Sequence, residues 1–335
     1  MPKNIQKKLI KTNDTDLTLP IYIVESSHKV KFSVFTKGLL VMNTLTQDVA
    51  SKVRESFNFS VDKFPLSGPD GMATPWYALF RSDTESVVGN GSVTSRYVPH
   101  QTEDVLALVD AASEAFDDGI DVKCHFRNGH YVSIAPTKEQ RRNIYGEKDA
   151  VWPRVIVNAG YDGKAFRATM GYYRDLCLNL AMMDQVEGTT VSIRHTSGLR
   201  SKMDELIATF NTLRDSWGTL TGVIERLQSR EVQMVDFLNA IYPQPETDAS
   251  KRAVTVHKNR TEAIFNRLSS ERYRSNRPAL GSDYVVSAWE AYNAVQGYVQ
   301  HDATRKTGFN GEFDRILLAN RDAAVRKAQS LALTA

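Results

Sequence analysis

Arginine, tyrosine and histidine side chains gather between Arg154 and Thr196, where the chain reads RVIVNAGYDGKAFRATMGYYRDLCLNLAMM and, after a short loop, VSIRHT. Arg167, Tyr172, Arg174, Asn179, Arg194 and His195 share this stretch. A histidine flanked by arginines can act as a general acid or base, contact a phosphate, or serve packing alone. Arg174 can equally bond buried carbonyls at a sheet end with Asp175 as its ion partner. All of these uses stay open on sequence alone. Elsewhere the chemical signals are weak. Cys124 and His125 are adjacent on a strand and point to opposite faces, which argues against a shared metal. Cys124 and Cys177 both fit apolar core positions. His301-Asp302 with Glu290 and Glu312 matches no metal-binding spacing. Gly89-Asn90-Gly91-Ser92 lacks the lysine of a phosphate loop. No Walker loop, GxSxG or HExxH occurs. No catalytic residue, metal or cofactor is therefore assigned.

The elements that must position these side chains begin with a hairpin. Asp162-Gly163 suits the two φ > 0 positions of a type I′ turn. That turn sets Tyr161 against Lys164, Ala159 against Phe166, Val157 against Ala168 and Val155 against Met170, on a mostly apolar face. The reverse face carries Arg154, with Asn158 opposite Arg167 and Ile156 opposite Thr169. Tyr173, Leu176, Cys177 and Leu180 recur at helical spacing, so a helix is expected next, then a return strand through Val191 and Ile193. Val122 to Ala135 reads as a second hairpin turned at Asn128-Gly129, with Lys123, His125, Arg127 and His130 on one face. Two such hairpins side by side would form a basic strip of Lys123, Arg127, His130, Arg154 and Arg167.

GYYRDLCLN followed by SIRHT resembles a phage- and plasmid-borne family of unknown function, the one numbered 932 among such families. Its members carry an Arg-x-x-Cys-x-Asn element and then Arg-His-Thr. SRYVPHQTEDVLALVD (Ser95 to Asp110) and AWEAYNAVQGYVQHDATRKTG (Ala288 to Gly308) match further patches, so the resemblance spans roughly residues 85 to 330. It brings no established chemistry. It implies a mobile-element setting and, through that, DNA metabolism.

The chain has 335 residues, 41% hydrophobic and 24% charged, with a formal net charge of +3. These are ordinary values for a globular protein, and the distribution of charge says more than its sum. Two cysteines cannot supply a disulfide framework, and no stretch approaches the roughly 18 apolar residues of a membrane span. A cytoplasmic protein is expected, in the host cytoplasm if phage-encoded. Residues 1–19 read as a flexible basic arm. Residues 20–196 read as an α+β domain, a twisted, mainly antiparallel sheet with flanking helices. It includes strands in 21–35, a helix in 44–57, a long loop over 58–75, strand character from Glu85 to Pro99, and an acidic helix from Thr102 to Phe116. Residues 197–335 read as helical. A heptad stripe from Leu199 to Ile241 predicts one helix over 199–242, about 65 Å long. Further helices are expected at Lys251 to Arg277, which holds eight Lys/Arg against two acids, at Tyr284 to His301 and at Phe313 to Leu333.

The function expected from this pattern is non-enzymatic binding of single-stranded DNA, or annealing, during replication or recombination. The contacting residues would be Arg96, Tyr97, Lys123, Arg127, His130, Arg154, Arg167, Tyr172, Arg174, Arg194 and His195 in the sheet, and Lys258, Arg260, Arg267 and Arg274 in the basic helix. A homo-oligomer is expected, since the acidic helix and the basic segment are complementary; a membrane partner is not. The alternatives are a protein-interaction factor using the long helix and, third, a nuclease.

Overall fold

The computed structural model describes residues 5–10, 19–26, 29–36, 39–43, 47–89, 92–116, 119–126, 129–136, 140–161, 165–183, 185–195, 199–303 and 312–334. Side chains are described from residue 47 on, excepting 199–210, 312–314 and 317–318. The fold is α+β. In chain order it comprises β1 (Ile5–Ile10), β2 (Leu19–Ser26), β3 (Lys29–Thr36), β4 (Leu39–Asn43), α1 (Gln47–Ser56), β5 (Val61–Ser67), β6 (Ala73–Arg81), β7 (Val93–Thr94), α2 (Thr102–Ala115), β8 (Ile120–Phe126), β9 (Gly129–Pro136), β10 (Arg142–Asn143), β11 (Ala150–Gly160), β12 (Phe166–Arg174), β13 (Asn179–Met182) and β14 (Thr190–Ile193). Then follow α3 (Leu199–Ser229), β15 (Glu231–Gln233), α4 (Met234–Ile241), α5 (Lys251–Arg274), β16 (Val285–Ser287), α6 (Ala288–Gly297), α7 (Glu312–Arg321) and α8 (Ala323–Thr334). Two compact units share the chain: Met1–His130 with Ala159–Lys164 and Arg194–Phe210, and Tyr131–Asn158 with Ala165–Ile193 and Asn211–Ala335.

In the first unit β1-β2-β3-β4 form an antiparallel meander. Ile5 pairs with Val24, so part of the expected basic arm is strand. The expected loop over 58–75 is largely the β5–β6 hairpin, closed by a 3-10 turn at Pro69–Gly71. Its prolines misled the reading: Pro65 lies on edge strand β5 next to a register shift, where no ladder donor is needed. Helix α2 starts where expected, but Thr102 does not cap it. Its hydroxyl donates to the Phe57 carbonyl (2.6 Å), and the Asp104 carboxylate accepts from the Gln101 N–H (2.7 Å). Of the strand character expected from Glu85 to Pro99, β7 and an isolated bridge of Val87 with Phe80 are what forms among the described residues.

In the second unit the strands run β13-β12-β11-β9, with β10 also on β11 and β14 also on β12. The β11–β12 register is the one the Asp-Gly turn implies: Val155 faces Met170, Val157 faces Ala168, and Asn158 faces Arg167. The turn residues 162–164 themselves lie outside the described residues, as does Asn128 of the other turn. The adjacency of β9 and β11 sets the two expected ribbons next to each other.

Three expectations fail in this unit. The helix expected after Gly171 does not form. Strand β12 runs on to Arg174, the chain turns, and β13 returns with Arg174 opposite Asn179. Leu178 takes the turn's left-handed position (φ 57°). The apolar spacing of Tyr173, Leu176, Cys177 and Leu180 mimics a helix because Leu176 and Cys177 of the turn and Leu180 of β13 are buried, while Asp175 and Leu178 face out. Second, the sheet's reverse face is not open. Tyr131, Ile156 and Leu180 pack against Ile316 of α7, while on the other face Tyr172 meets Trp289 of α6 (ring centroids 5.0 Å). A sheet covered on both faces keeps apolar residues on both. Third, the long helix ends at Ser229, giving about 46 Å for 31 residues. β15 then pairs with β16, and α4 starts afresh with the Gln233 side chain accepting from the Asp236 N–H (3.0 Å). The three-and-four spacing survives the break because both helices bury such a stripe: Leu213, Trp217, Leu220, Ile224 and Leu227 on one, Met234, Phe237, Leu238 and Ile241 on the other. The last helix is likewise two, α7 and α8, parted at Asp322.

Gly171 sits mid-strand, where a Cβ would lie 2.0 Å from the Ala181 carbonyl oxygen. That oxygen is backbone and cannot swing aside. Gly171→Ala is expected to lower the urea midpoint by the equivalent of about 3 kcal/mol, the upper range for overpacking. An unchanged midpoint contradicts the β12–β13 pairing described.

Candidate functional site

Arg174 ends β12 with its side chain buried (1% exposed). Its Nε and Nη2 donate to the two Asp149 oxygens, each at 2.7 Å, and its Nη1 donates to Glu271 Oε2 at 2.7 Å. The forked guanidinium suits this bidentate use. Burial works against its charge, but the Glu271 and Asp149 carboxylates more than offset that, and the guanidinium is held well above its ordinary pKa. Burial pushes the Glu271 carboxyl up, and Arg174 and Arg267 counter it. The ion network continues outward. Arg267 pairs with Asp302 (2.9 Å), while Arg272 and Arg277 both reach Glu290 (2.8 and 3.3 Å). Glu290 also accepts from the Ser287 N–H at the start of α6 (3.1 Å).

The remaining motif residues serve the same junction. Burial raises the Cys177 thiol to about 12, so it stays a neutral thiol rather than a nucleophile. Asn179 donates to the Asn293 carbonyl (3.0 Å), and its side-chain oxygen faces His301 Nε2 (3.2 Å). Gly297 lets α6 approach, since a Cβ there would meet Arg267 Cδ at 2.8 Å and Asn179 Oδ1 at 3.0 Å. The Arg-x-x-Cys-x-Asn element is thus a buried clamp joining sheet to helices.

What the clamp holds is exposed. Asp149 directly follows Lys148, on the connection that also carries Arg141 and Arg142. Glu271 lies one turn before Arg274, next to Tyr273, which is 83% exposed. A second bond ties the same two stretches: the Arg277 guanidinium lies over the Tyr145 ring at 3.9 Å, and the Tyr145 and Ser287 hydroxyls are 2.7 Å apart. Arg141, Arg142, Lys148 and Arg274 are all exposed, and none forms a salt bridge among the described residues. Arg141 donates to the Glu147 carbonyl and lies 5.8 Å from the Trp152 ring. Arg141 and Arg142 line a polar cavity of about 350 Å³ with Asn143 and, from α3, Thr221, Glu225 and Gln228. The run of three cations in the eight residues from Arg141 to Lys148 is the local signal that marks this surface in the sequence.

The residues expected to touch nucleic acid are scattered. In the second unit Tyr172 is buried, with its hydroxyl donating to Asn293 Oδ1 (3.2 Å), and Arg174 is buried in the clamp. Arg154 is half-buried, 5.4 Å from the Tyr173 ring centroid, and Arg167 is exposed. Lys258 pairs with Glu262 (3.7 Å), Arg260 lies over Tyr242 (4.4 Å), Arg267 pairs with Asp302, and Arg274 is exposed. In the first unit Arg96, Lys123 and Arg194 are exposed, whereas Tyr97, His130 and His195 are buried. Arg127 lies outside the described residues. A buried, paired side chain offers nothing to a phosphate, so the continuous strip through His130 and Arg154 does not exist as drawn. His130 is turned inward because a neutral ring in an aromatic box is cheap to bury.

That box forms a second constellation, within the first unit. His100 Nε2 and His130 Nδ1 are 2.8 Å apart and share one proton. Tyr161 stacks on His100 (4.2 Å, 7°), and its hydroxyl donates to the His100 carbonyl (2.9 Å). His195 stacks on Tyr97 (5.0 Å), and Phe57 meets His130 edge-on (4.3 Å). Burial, with Arg81 nearby, lowers His130 to about 3; burial, with His130 and His195, lowers His100 well below its ordinary value. Neutral, enclosed imidazoles hold tertiary structure together and are not reached by a substrate. Among the described residues no three His, Cys, Asp or Glu side chains are grouped to hold a metal ion, and no described helix is long and apolar enough to cross a membrane.

A family model for a domain of unknown function, DUF932, matches residues 90–331. No curated protein and no solved structure was found to match.

Arg174→Ala leaves Asp149 buried without its guanidinium and Glu271 with only Arg267 at 3.9 Å, with an expected loss of about 3–5 kcal/mol in urea unfolding. Arg174→Met with Asp149→Asn and Glu271→Gln removes the charges together and is expected to recover most of it. A loss under about 1 kcal/mol for Arg174→Ala contradicts the clamp. His100 and His130 set a pH response. Their folded pKa values lie below the unfolded one near 6.5, so their contribution is complete above about pH 6.5 and declines as pH falls toward about 3. At pH 5 His130 alone accounts for about 2 kcal/mol. His130→Gln is expected to flatten the fall in urea stability between pH 7 and pH 5 by that amount; an unaltered slope contradicts the box.

Proposed function

We propose that this chain, which belongs to the DUF932 family, binds single-stranded nucleic acid, DNA by preference, without catalysing a reaction on it. The observation that carries the reading is the pair of cationic stretches fixed side by side by Arg174. Arg141, Arg142 and Lys148 stand on one, Arg274 and the outward-facing Tyr273 on the other. Cations without carboxylate partners can neutralise backbone phosphates, and an exposed tyrosine ring offers a base a stacking surface of no sequence preference. The polar cavity between Arg141, Arg142 and α3 is large enough for a phosphate group. A surface of this kind holds a backbone and leaves base edges free, which suits annealing in replication or recombination. Arg167 is a candidate extension of the surface.

The apolar stripe of α3 from Leu213 to Leu227 is buried within the chain, which weighs against a protein-interaction factor that uses this part of the helix. Oligomerisation remains part of the proposal, since annealing brings two strands to neighbouring copies.

Fluorescence anisotropy with a labelled oligothymidine at several salt concentrations tests this. Four phosphate contacts give a log–log slope near −3 on single strands, and Arg141→Ala with Arg142→Ala brings it to about −1.4. Tyr273→Ala weakens binding by about 1–3 kcal/mol at fixed salt. A slope near zero, or affinity unchanged when all four cations and Tyr273 are replaced in a folded protein, overturns the reading.

A further inference from the structure

Two surfaces of the chain are uncovered and match each other in chemistry. One is the beginning of α5. Residues 251–256 are exposed on every side, including Val254 (49%) and Val256 (46%). At helical spacing Val254 has Lys251 and Lys258 one turn away on either side, and Val256 has Arg252 and Arg260. The helix is firmly started, with the Ser250 hydroxyl accepting from the Ala253 N–H (3.2 Å), yet its first two turns bury no face. A helix with no buried stripe gains nothing from packing, and isolated turns are marginal in water.

The other surface is a cleft of about 500 Å³ on the β5–β6 hairpin. Its floor is apolar: Phe64 (51% exposed) meets Phe80 edge-on at 5.3 Å, and Leu66 is 38% exposed. Asp62 and Glu85 stand at it, and neither forms a salt bridge among the described residues. Arg81, which also lines it, is already held by Asp83 (2.6 Å), leaving the cleft net acidic. Glu85 keeps a left-handed backbone (φ 49°), a conformation that costs energy outside glycine. Two unpaired carboxylates repel phosphates, so this cleft does not suit nucleic acid. It fits an apolar segment bordered by cations.

We propose that the α5 start of one copy of this chain docks in the β5–β6 cleft of another. Val254 enters the apolar floor, and Lys251 and Lys258, one turn away on the same helix face, meet Asp62 and Glu85. The pairing is between copies, one bringing its cation-bordered helix start to the acidic cleft of the next. It joins unlike surfaces and is heterologous: it runs head to tail, closing into a ring or growing as a chain. Charge complementarity sets the register, and Val254 supplies the apolar contact. The pairing deepens the oligomer part of the function proposed above but does not require nucleic acid to form.

Sedimentation velocity without nucleic acid tests it. The wild-type chain is expected to assemble with concentration. Val254→Asp with Val256→Asp spoils the helix surface, and Phe64→Ser with Leu66→Asp spoils the cleft. Each variant, folded by circular dichroism, is expected to stay monomeric, its association weakened by roughly 30-fold or more, as for hot-spot side chains. Mixing the two variants leaves one intact helix surface and one intact cleft, and a species of two chains that grows no further is expected. Lys251→Glu with Lys258→Glu is expected to weaken assembly, and Asp62→Lys with Glu85→Lys on the same chain to restore it. A wild-type monomer at all concentrations, assembly unaffected by either variant, or a mixture that remains monomeric overturns the proposal. Since Arg141, Arg142, Lys148, Tyr273 and Arg274 are untouched, each result is separate from the outcome of the oligonucleotide titration.

Discussion

One buried guanidinium holds the second unit to its shape. Arg174 sits at the end of a strand, and its two acidic partners come from opposite directions along the chain, Asp149 from just before β11 and Glu271 from near the end of α5. A charge taken out of water must be matched, or the group that carries it destabilises the fold by several kcal/mol. Matching it fixes where the chain before β11 and the end of α5 can lie. Cys177, Asn179, Gly297 and Asn293 then fill the space around that junction. The Arg-x-x-Cys-x-Asn element is therefore a requirement of the scaffold, and the cations beside its partners stand one residue or one turn further out, in water.

This division separates the residues that are chemically conspicuous from those that are accessible. Arg174, Tyr172, His130 and His195 attract notice by type and are enclosed. Arg141, Arg142, Lys148, Tyr273 and Arg274 are plain in sequence and face solvent. A polyanion can meet only the second group. In the first unit the same principle gives the histidine box, where burial keeps the imidazoles neutral and the hydroxyl of Tyr161 satisfies a carbonyl that water cannot reach.

Local rules recovered what local forces determine. The Asp-Gly pair gave the β11–β12 register residue by residue, because the turn length and a period of two leave no freedom. Helices α2 and α6 followed from apolar spacing, although Gln101 and not Thr102 caps α2. The failures have different physical causes. Tyr173 to Leu180 look helical because the turn's inward residues Leu176 and Cys177 and the strand residue Leu180 are spaced as on a helix face. The stripe from Leu199 to Ile241 continues through a break at Arg230 because spacing records burial and not continuity of backbone. The partner of Arg174 was sought next door at Asp175, which is exposed and accepts from Trp152 Nε1 (2.6 Å); the actual partners lie 25 residues before and 97 after, and no local pattern marks a pairing at such distance. His100, His130, Tyr161 and His195 come from four separate stretches for the same reason.

The account stands on nucleic acid lying against the surface that Arg174 assembles. Photo-cross-linking of a 4-thiothymidine oligonucleotide to the wild-type chain, followed by mass spectrometry of the joined peptides, reads that surface directly. Cross-links at Tyr273 and within Arg141 to Lys148 are the predicted result. Cross-links confined to other segments, or none at a concentration where the oligonucleotide is bound, would contradict it.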